Sequence, residues 1–251
     1  MKAKNVEEID RADEDDPQQA AEYIGDIIVN MKTEECHDMP RYSYMKQQVD
    51  INEKMRGILV DWIVEVHLRF KLLPETLFLT VNLIDRYLQK TQIMRTRLQL
   101  VAVAALLIAS KYEEIYVPEL NDFVYISDNA YTKEEILEME RSILITLEFG
   151  ITTPSSYRFL QRFCKVAKAK SQLFHLAQYL IELTLMEQRM LEYKPSQVAA
   201  GALFLAIRIL YRDMGLWTPQ LEQYCGFSET QLRPVFKDMC ILFTGIGNCS
   251  L

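Results

Sequence analysis

Apolar residues recur at three- and four-residue spacing through most of this chain, and strand-like alternation is weak, so the pattern predicts helices nearly throughout. Pro74-Glu75, Pro118-Glu119, Pro154-Ser155, Pro195-Ser196 and Pro219-Gln220 each precede such a run, as proline in a first helical turn does. The spacing predicts helices near 17–33, 52–70, 75–90, 96–111, 117–125 and 132–147. A second set falls near 155–167, 171–189, 195–212, 218–225 and 228–243. Pro234 lies inside the last of these and is expected to kink it or shift its start.

The two sets resemble each other. Val101 to Ala109 and Val198 to Ala206 share an alanine-rich apolar string at an offset of 97. Tyr131-Thr132 and Phe227-Ser228 each place a hydroxyl N-cap after an aromatic residue, at an offset of 96, which suits a capped helix start with a hydrophobic staple. Similar offsets for successive helices imply two copies of one five-helix unit, with the small-residue helix at the centre of each; one irregular bundle with coincidental similarity is the other reading. The boundary falls after Phe149-Gly150, where Gly150 is the expected helix C-cap. The chain thus divides into an N-terminal helix and linker (1–50), a first unit (51–150) and a second unit with a short tail (151–251).

Two charges break this pattern. Lys111 follows Leu100, Ala104, Leu107 and Ile108 at helical spacing, and Glu140 sits among Ile136, Leu137, Ile143, Leu144 and Leu147. A lone charge on an apolar stripe is costly, so such groups are paired or face a partner. A third feature is the helix from Met55 to His67. On a wheel at about 100° per residue, Val60, Ile63, Val64 and Leu68 form one face and are expected in the core. Met55, Ile58 and Trp62 share the other arc with Asp61, Glu65 and Arg69. An apolar triplet rimmed by charge marks a docking surface. Packing of Trp62 beneath the N-terminal segment is the other reading the periodicity allows.

Composition narrows the function. The 251 residues are 49% hydrophobic and 25% charged, as in folded globular proteins. A net charge of −7, with dispersed basic residues, argues against nucleic-acid binding through phosphate contacts. Five cysteines, at 36, 164, 225, 240 and 249, form no C-x-x-C pair and read as free, mostly buried thiols in a reducing compartment. The histidines at 37, 67 and 175 make no metal spacing, and His67 reads as structural. No apolar run reaches the roughly 18 residues of a membrane span, and no signal peptide opens the chain. No phosphate-cradling glycine loop, kinase catalytic loop or nucleophile elbow occurs, so a catalytic role is not expected.

Several strings resemble the cyclins. Met55-Arg56-Gly57-Ile58-Leu59-Val60-Asp61-Trp62 is similar to the MRAIL helix of that family, with glycine in the alanine place. Pro74 to Leu77 through Asp85-Arg86-Tyr87-Leu88, Leu98 to Leu100, and Ala109 to Glu114 resemble its second and third helices. The likeness continues through Tyr131 to Lys133, Met139-Glu140, Leu147 to Phe149, Tyr179 to Thr184 and Pro195 to Gln197. It spans nearly the whole chain and leans to the mitotic A and B groups, closest to B.

The resemblance implies an all-α fold of two tandem five-helix cyclin boxes preceded by a helix. It implies a noncatalytic regulatory subunit that binds and activates a cyclin-dependent kinase in mitotic progression, in nucleus and cytoplasm, with no cofactor or metal. Lys111 and Glu140 match residues that contact the kinase around its mobile αC helix, and Tyr112 and Phe149 match neighbouring apolar contacts. Met55, Ile58, Leu59, Trp62 and Gln99 match the patch that receives Arg-x-Leu substrates and inhibitors. Glu65 lies near the ligand arginine, and Arg95 is a further patch residue. Neither nucleic acid nor membrane is expected as a partner.

Three departures qualify this. Gly57 lowers helix propensity by up to about 1 kcal/mol. Asn30 stands where mitotic cyclins often carry a kinase-contacting tyrosine. The degradation signals expected ahead of the boxes are lacking, since the R-x-x-L strings at Arg56–Leu59 and Arg141–Leu144 fall inside predicted helices, so a truncated chain is expected. The competing readings are an enzyme, a promoter-binding tandem cyclin fold and a cyclin for a transcriptional kinase.

Overall fold

A computed structural model describes residues 9–212 and 217–245. Among them every regular element is helical. The α-helices are α1 (Ile24–Glu34), α2 (Glu53–Phe70), α3 (Pro74–Lys90), α4 (Leu98–Glu113), α5 (Leu120–Ile126) and α6 (Lys133–Thr146). They continue as α7 (Ser156–Val166), α8 (Ser171–Met186), α9 (Pro195–Tyr211), α10 (Pro219–Cys225) and α11 (Glu229–Gly245). Two five-helix repeats follow one another, and their third helices start at Leu98 and Pro195, 97 residues apart.

Local sequence sets most of these ends. Proline occupies the first turn of α3, α9 and α10, as expected. Pro118 and Pro154 instead lie just outside their helices, because Glu119 caps α5 in a box with Asp122 and α7 begins at Ser156. Thr132 caps α6 in a box with Glu135, and Ser228 makes the equivalent exchange with Gln231.

The largest shift is at α1, expected from residue 17 but beginning at Ile24. A 3-10 turn (Pro17–Gln19) ends in Ala20, whose left-handed backbone (φ 47°) cannot propagate a right-handed helix. Likewise α8 stops at Met186, and the chain runs on as a 3-10 turn, Gln188–Glu192. Pro234 lies in the second turn of α11, whose start it does not displace.

One compact unit comprises Asp38–Ser155 with Glu182–Glu192. Its centre is α4, in which Leu98 and every residue from Leu100 to Ser110 are buried. Alanines at 102, 104, 105 and 109 let α3 and α6 pack closely against it. In α2, Val60 and Ile63 reach the core as expected. Val64 is only half-buried, and Leu68 is 67% exposed. On the wheel Leu68 flanks the solvent arc beside Asp61, so its place on the core face is corrected. His67 is buried, its Nε2 lying 2.9 Å from the Leu73 carbonyl.

The second unit holds the N-terminal stretch through His37, Ser156–Ile181 and the chain from Tyr193. Here α9 is central and packs on α7 and α11. Gly201 makes the second contact possible. A Cβ there would lie 2.8 Å from Val235 Cγ1. Gly201→Ala is therefore expected to cost about 1–3 kcal/mol in urea unfolding. Val235→Ala in the same chain should recover part of that loss, as a coupling of roughly 0.5–3 kcal/mol.

The N-terminal segment is fastened to this unit by charge. Arg162 clasps Asp10 through two nitrogens at 2.5 and 2.7 Å, and Lys165 adds a bond to Asp10 at 2.9 Å and another to Asp13. Burial pushes Asp10 up, but hydrogen bonds from Arg162 and Lys165 outweigh it and leave its pKa lowered. Glu35 accepts from the Ser196 amide and hydroxyl, and Lys32 donates to the Tyr224 carbonyl. Cys164 and Cys225 are buried free thiols, each pushed up to about 12 by burial. Cys240 is free and half-buried, Cys36 is the exposed exception among the described thiols, and Cys249 lies outside the described residues.

Candidate functional site: a charged edge and an apolar patch on the first repeat

Lys111 occupies the last turn of α4, and Glu140 the middle of α6. Leu100, Ala104, Leu107 and Ile108 are buried behind Lys111, as are Ile136, Ile143 and Leu147 around Glu140, whereas Leu137 is exposed and Leu144 half-buried. The two apolar stripes converge, and where they reach solvent the charges meet: Lys111 Nζ is 2.6 Å from Glu140 Oε1. Their side chains are 49% and 13% exposed. The pair is thus at the edge of the core, not within it. Glu140 retains its second carboxylate oxygen and Lys111 its remaining protons for another partner.

Exposed apolar groups surround this edge. Tyr112 is half exposed and shares a hydrogen bond with Thr152. Phe149 is 67% exposed on the turn after α6. Glu114, the C-cap of α4, accepts from the Leu73 amide at 2.7 Å and the Thr76 hydroxyl at 2.5 Å, tying the end of α4 to the start of α3. Beyond it Ile115 and Tyr116 are almost fully exposed. Sequence reading left Ile115 and Tyr116 unassigned, although two large apolar residues between a helix end and Pro118 were visible.

On α2, Ile58 and Glu65 are exposed, Met55 and Trp62 are half-buried against the core, and Leu59 lies in the core beneath. Gln99, in the first turn of α4, is half-buried. Arg95, just before α4, is exposed, and its Nη2 is 2.7 Å from Asp50 Oδ1. Gly57 is half-buried, and a Cβ there would sit 3.4 Å from the Met186 carbonyl, an ordinary contact.

A buried polar cluster that sequence reading did not single out links α2 to α3. Arg56 clasps Asp85 through Nε and Nη2, both at 2.6 Å, with each side chain about 1% exposed. Tyr44 donates to Asp85 at 2.7 Å, and Arg56 Nη1 donates to the Leu185 carbonyl at 2.8 Å. Burial would lower the Arg56 pKa, but the Asp85 charge and hydrogen bonds raise it. Burial and then the Asp85 charge push the Tyr44 hydroxyl up. The cluster joins the helix that carries the patch to α3 and to the 182–192 segment of the same unit.

The arrangement offers hydrogen-bonding charge and apolar surface for a macromolecular partner. Among the described residues no group of three or more His, Cys, Asp or Glu could hold a metal ion. No described helix is long and apolar enough to cross a membrane.

Such a chain is a tandem-repeat helical protein with a partly exposed ion pair at the edge of its first repeat. Its family is established by comparison. The cyclin N-terminal domain model matches residues 26–152, and the cyclin C-terminal domain model matches 154–251. The chain belongs to the cyclin family. It is 47% identical over 234 residues to G2/mitotic-specific cyclin-B2 of Anguilla japonica, covering 93% of this chain and 59% of that protein. It is 47% identical over 237 residues to G2/mitotic-specific cyclin-B of Arbacia punctulata, covering 94% and 58%. The chain therefore spans about three-fifths of the length of these curated relatives. A viral cyclin from herpesvirus saimiri superimposes with a TM-score of 0.75 at 25% identity, over 86% of this chain and 97% of that one. A chain of the yeast RNA Pol II CTD kinase CTDK-1 complex shares the fold, with a TM-score of 0.68 at 14% identity, over 83% and 72%.

Proposed function

We propose that this chain is the noncatalytic regulatory subunit of a cyclin-dependent protein kinase, acting in mitotic progression in the nucleus and cytoplasm. The observation that carries the reading is the Lys111–Glu140 pair, held at 2.6 Å on the rim of the first repeat with Tyr112 and Phe149 exposed nearby. The names of the B-type relatives, which are specific to G2 and mitosis, support the timing.

The physical task is selective binding. A kinase is active when its β3 lysine pairs with its αC glutamate and its activation loop is ordered. A partner enforces that state only by binding it better than the inactive one. Shifting the kinase from about 1% to 99% active takes roughly 5.5 kcal/mol of differential binding. Exposed aromatic and aliphatic groups at 112, 115, 116 and 149 supply apolar contact, and Lys111 with Glu140 sets register through hydrogen bonds to the kinase backbone. Purified kinase mixed with this chain is expected to phosphorylate a substrate peptide far faster than kinase alone. Phosphate transfer by the chain without kinase would contradict the reading.

The α2 patch is assigned to substrates and inhibitors carrying Arg-x-Leu, with Ile58, Trp62 and Met55 receiving the leucine and Glu65 facing the arginine. Trp62→Ala should leave kinase binding unchanged and reduce phosphorylation of an Arg-x-Leu substrate about tenfold, as loss of an aromatic anchor does. An equal loss on a peptide lacking the motif would mean that Trp62 serves the fold.

A further inference from the structure

The turn after α6 presents Phe149 in a conformation the local sequence does not favour. Glu148 and Phe149 both have left-handed backbones, with φ of 54° and 58°. Neither is glycine, and two successive side-chain-bearing residues in this region persist only where surrounding structure enforces them. Gly150, expected as the left-handed cap, does not have positive φ. It is needed for space. A Cβ there would lie 3.2 Å from the Leu147 carbonyl and 3.5 Å from Arg86 Nη2.

The tight neighbour is the turn's own Leu147 carbonyl, and Arg86 lies alongside at ordinary contact distance. Arg86 is buried on α3, donates from Nη1 to the Gly150 carbonyl at 2.7 Å, and pairs from Nη2 with Asp38 at 2.8 Å. Its Nη1 also lies 3.5 Å from Asn82 Oδ1. Leu147, on the other side of the turn, is anchored in the core. The chain is thus fixed at residues 147 and 150, and the two residues between must bridge the points in left-handed geometry. The Phe149 amide donates to Leu144, and the Ile151 amide to the Phe149 carbonyl. The result is an aromatic ring held outward near Tyr112, whose hydroxyl is bonded to Thr152 just beyond the turn.

We infer that Arg86, set by Asp38, is a positioning residue for the kinase-binding edge, holding the 147–150 turn so that Phe149 is presented in a fixed, preorganised pose. The inference rests on the proposed kinase-binding role of that edge. Fixing the pose in the free protein removes an ordering cost at binding.

The test has two arms. In the free protein, Arg86→Leu should speed hydrogen exchange at the Phe149 and Ile151 amides while α3 and α4 keep their protection. In kinase titrations with a recombinant cyclin-dependent kinase, Phe149→Ala should weaken binding about tenfold and Arg86→Leu severalfold. The Arg86→Leu/Phe149→Ala double variant should bind no more weakly than Phe149→Ala alone, because Arg86 acts through that ring. Asp38→Asn, a milder change on the surface side of the pair, carries the same comparisons if Arg86→Leu does not fold. Losses that multiply in the double variant, or unchanged exchange at residues 149 and 151, would overturn the inference. Wild-type kinase affinity in Phe149→Ala, with exchange accelerated in Arg86→Leu, would instead overturn the kinase-edge reading and the inference built on it.

Discussion

Asp85→Ala is expected to destabilise the chain by about 3–5 kcal/mol, a large part of the stability of an ordinary domain. The substitution leaves the Arg56 guanidinium about 99% buried with its bidentate partner gone, and it removes the acceptor of the Tyr44 hydroxyl. Only the Leu185 and Met186 carbonyls would remain to Arg56, at 2.8 and 3.4 Å. A cationic group in that position is almost wholly shielded from water in the intact chain. Urea unfolding followed by circular dichroism should show the loss, or no folded protein at all. An Arg56→Met/Asp85→Leu double variant should be far less damaged than Asp85→Ala, because replacing both charges removes the desolvation penalty along with the attraction. If Asp85→Ala unfolds at the wild-type urea concentration, the cluster does not carry the first repeat.

The second large effect is expected on binding rather than folding. Glu140→Ala and Lys111→Ala should each weaken kinase binding about tenfold or more, as loss of a hydrogen-bonded group at the centre of an interface does. Their effect on folding should stay within about 1 kcal/mol, since an ion pair whose lysine is half exposed adds little stability. The contrast with Asp85 follows from burial alone. One pair is sealed in the core and holds the fold; the other stands at its edge and remains available.

Both pairs leave the same trace in the sequence. Lys111 and Glu140 were legible because each falls on an apolar helical stripe. Arg56 lies on the core face of α2 with Val60 and Ile63, and Asp85 lies one turn from Val81 and Leu88 on α3, so the same criterion marks them. They pass unnoticed when the strings containing them are read as whole motifs. Helix order, the central alanine-rich helices and the capping boxes at Thr132 and Ser228 were equally legible, because each rests on spacing within one turn or one stripe.

What stayed hidden depends on distant partners. Asp10 meets Arg162 across 152 positions of sequence, and no local pattern announces that clasp. The late start of α1 turns on the backbone of Ala20, a residue with high helix propensity. At the end of α6 the glycine drew the assignment of the left-handed cap, whereas Leu147 and Arg86 impose that geometry on Glu148 and Phe149. Leu68 is apolar and near the buried arc, but it lies beside Asp61 on the wheel and is 67% exposed.

The most direct test of the central claim is a calorimetric titration of a cyclin-dependent kinase with the wild-type chain and with Glu140→Ala, with circular dichroism on both proteins. The account predicts saturable one-to-one binding by the wild type and about tenfold or greater loss of affinity in a variant that is equally helical and melts at nearly the same temperature. Absence of wild-type binding, or equal affinity in the folded Glu140→Ala protein, would contradict it.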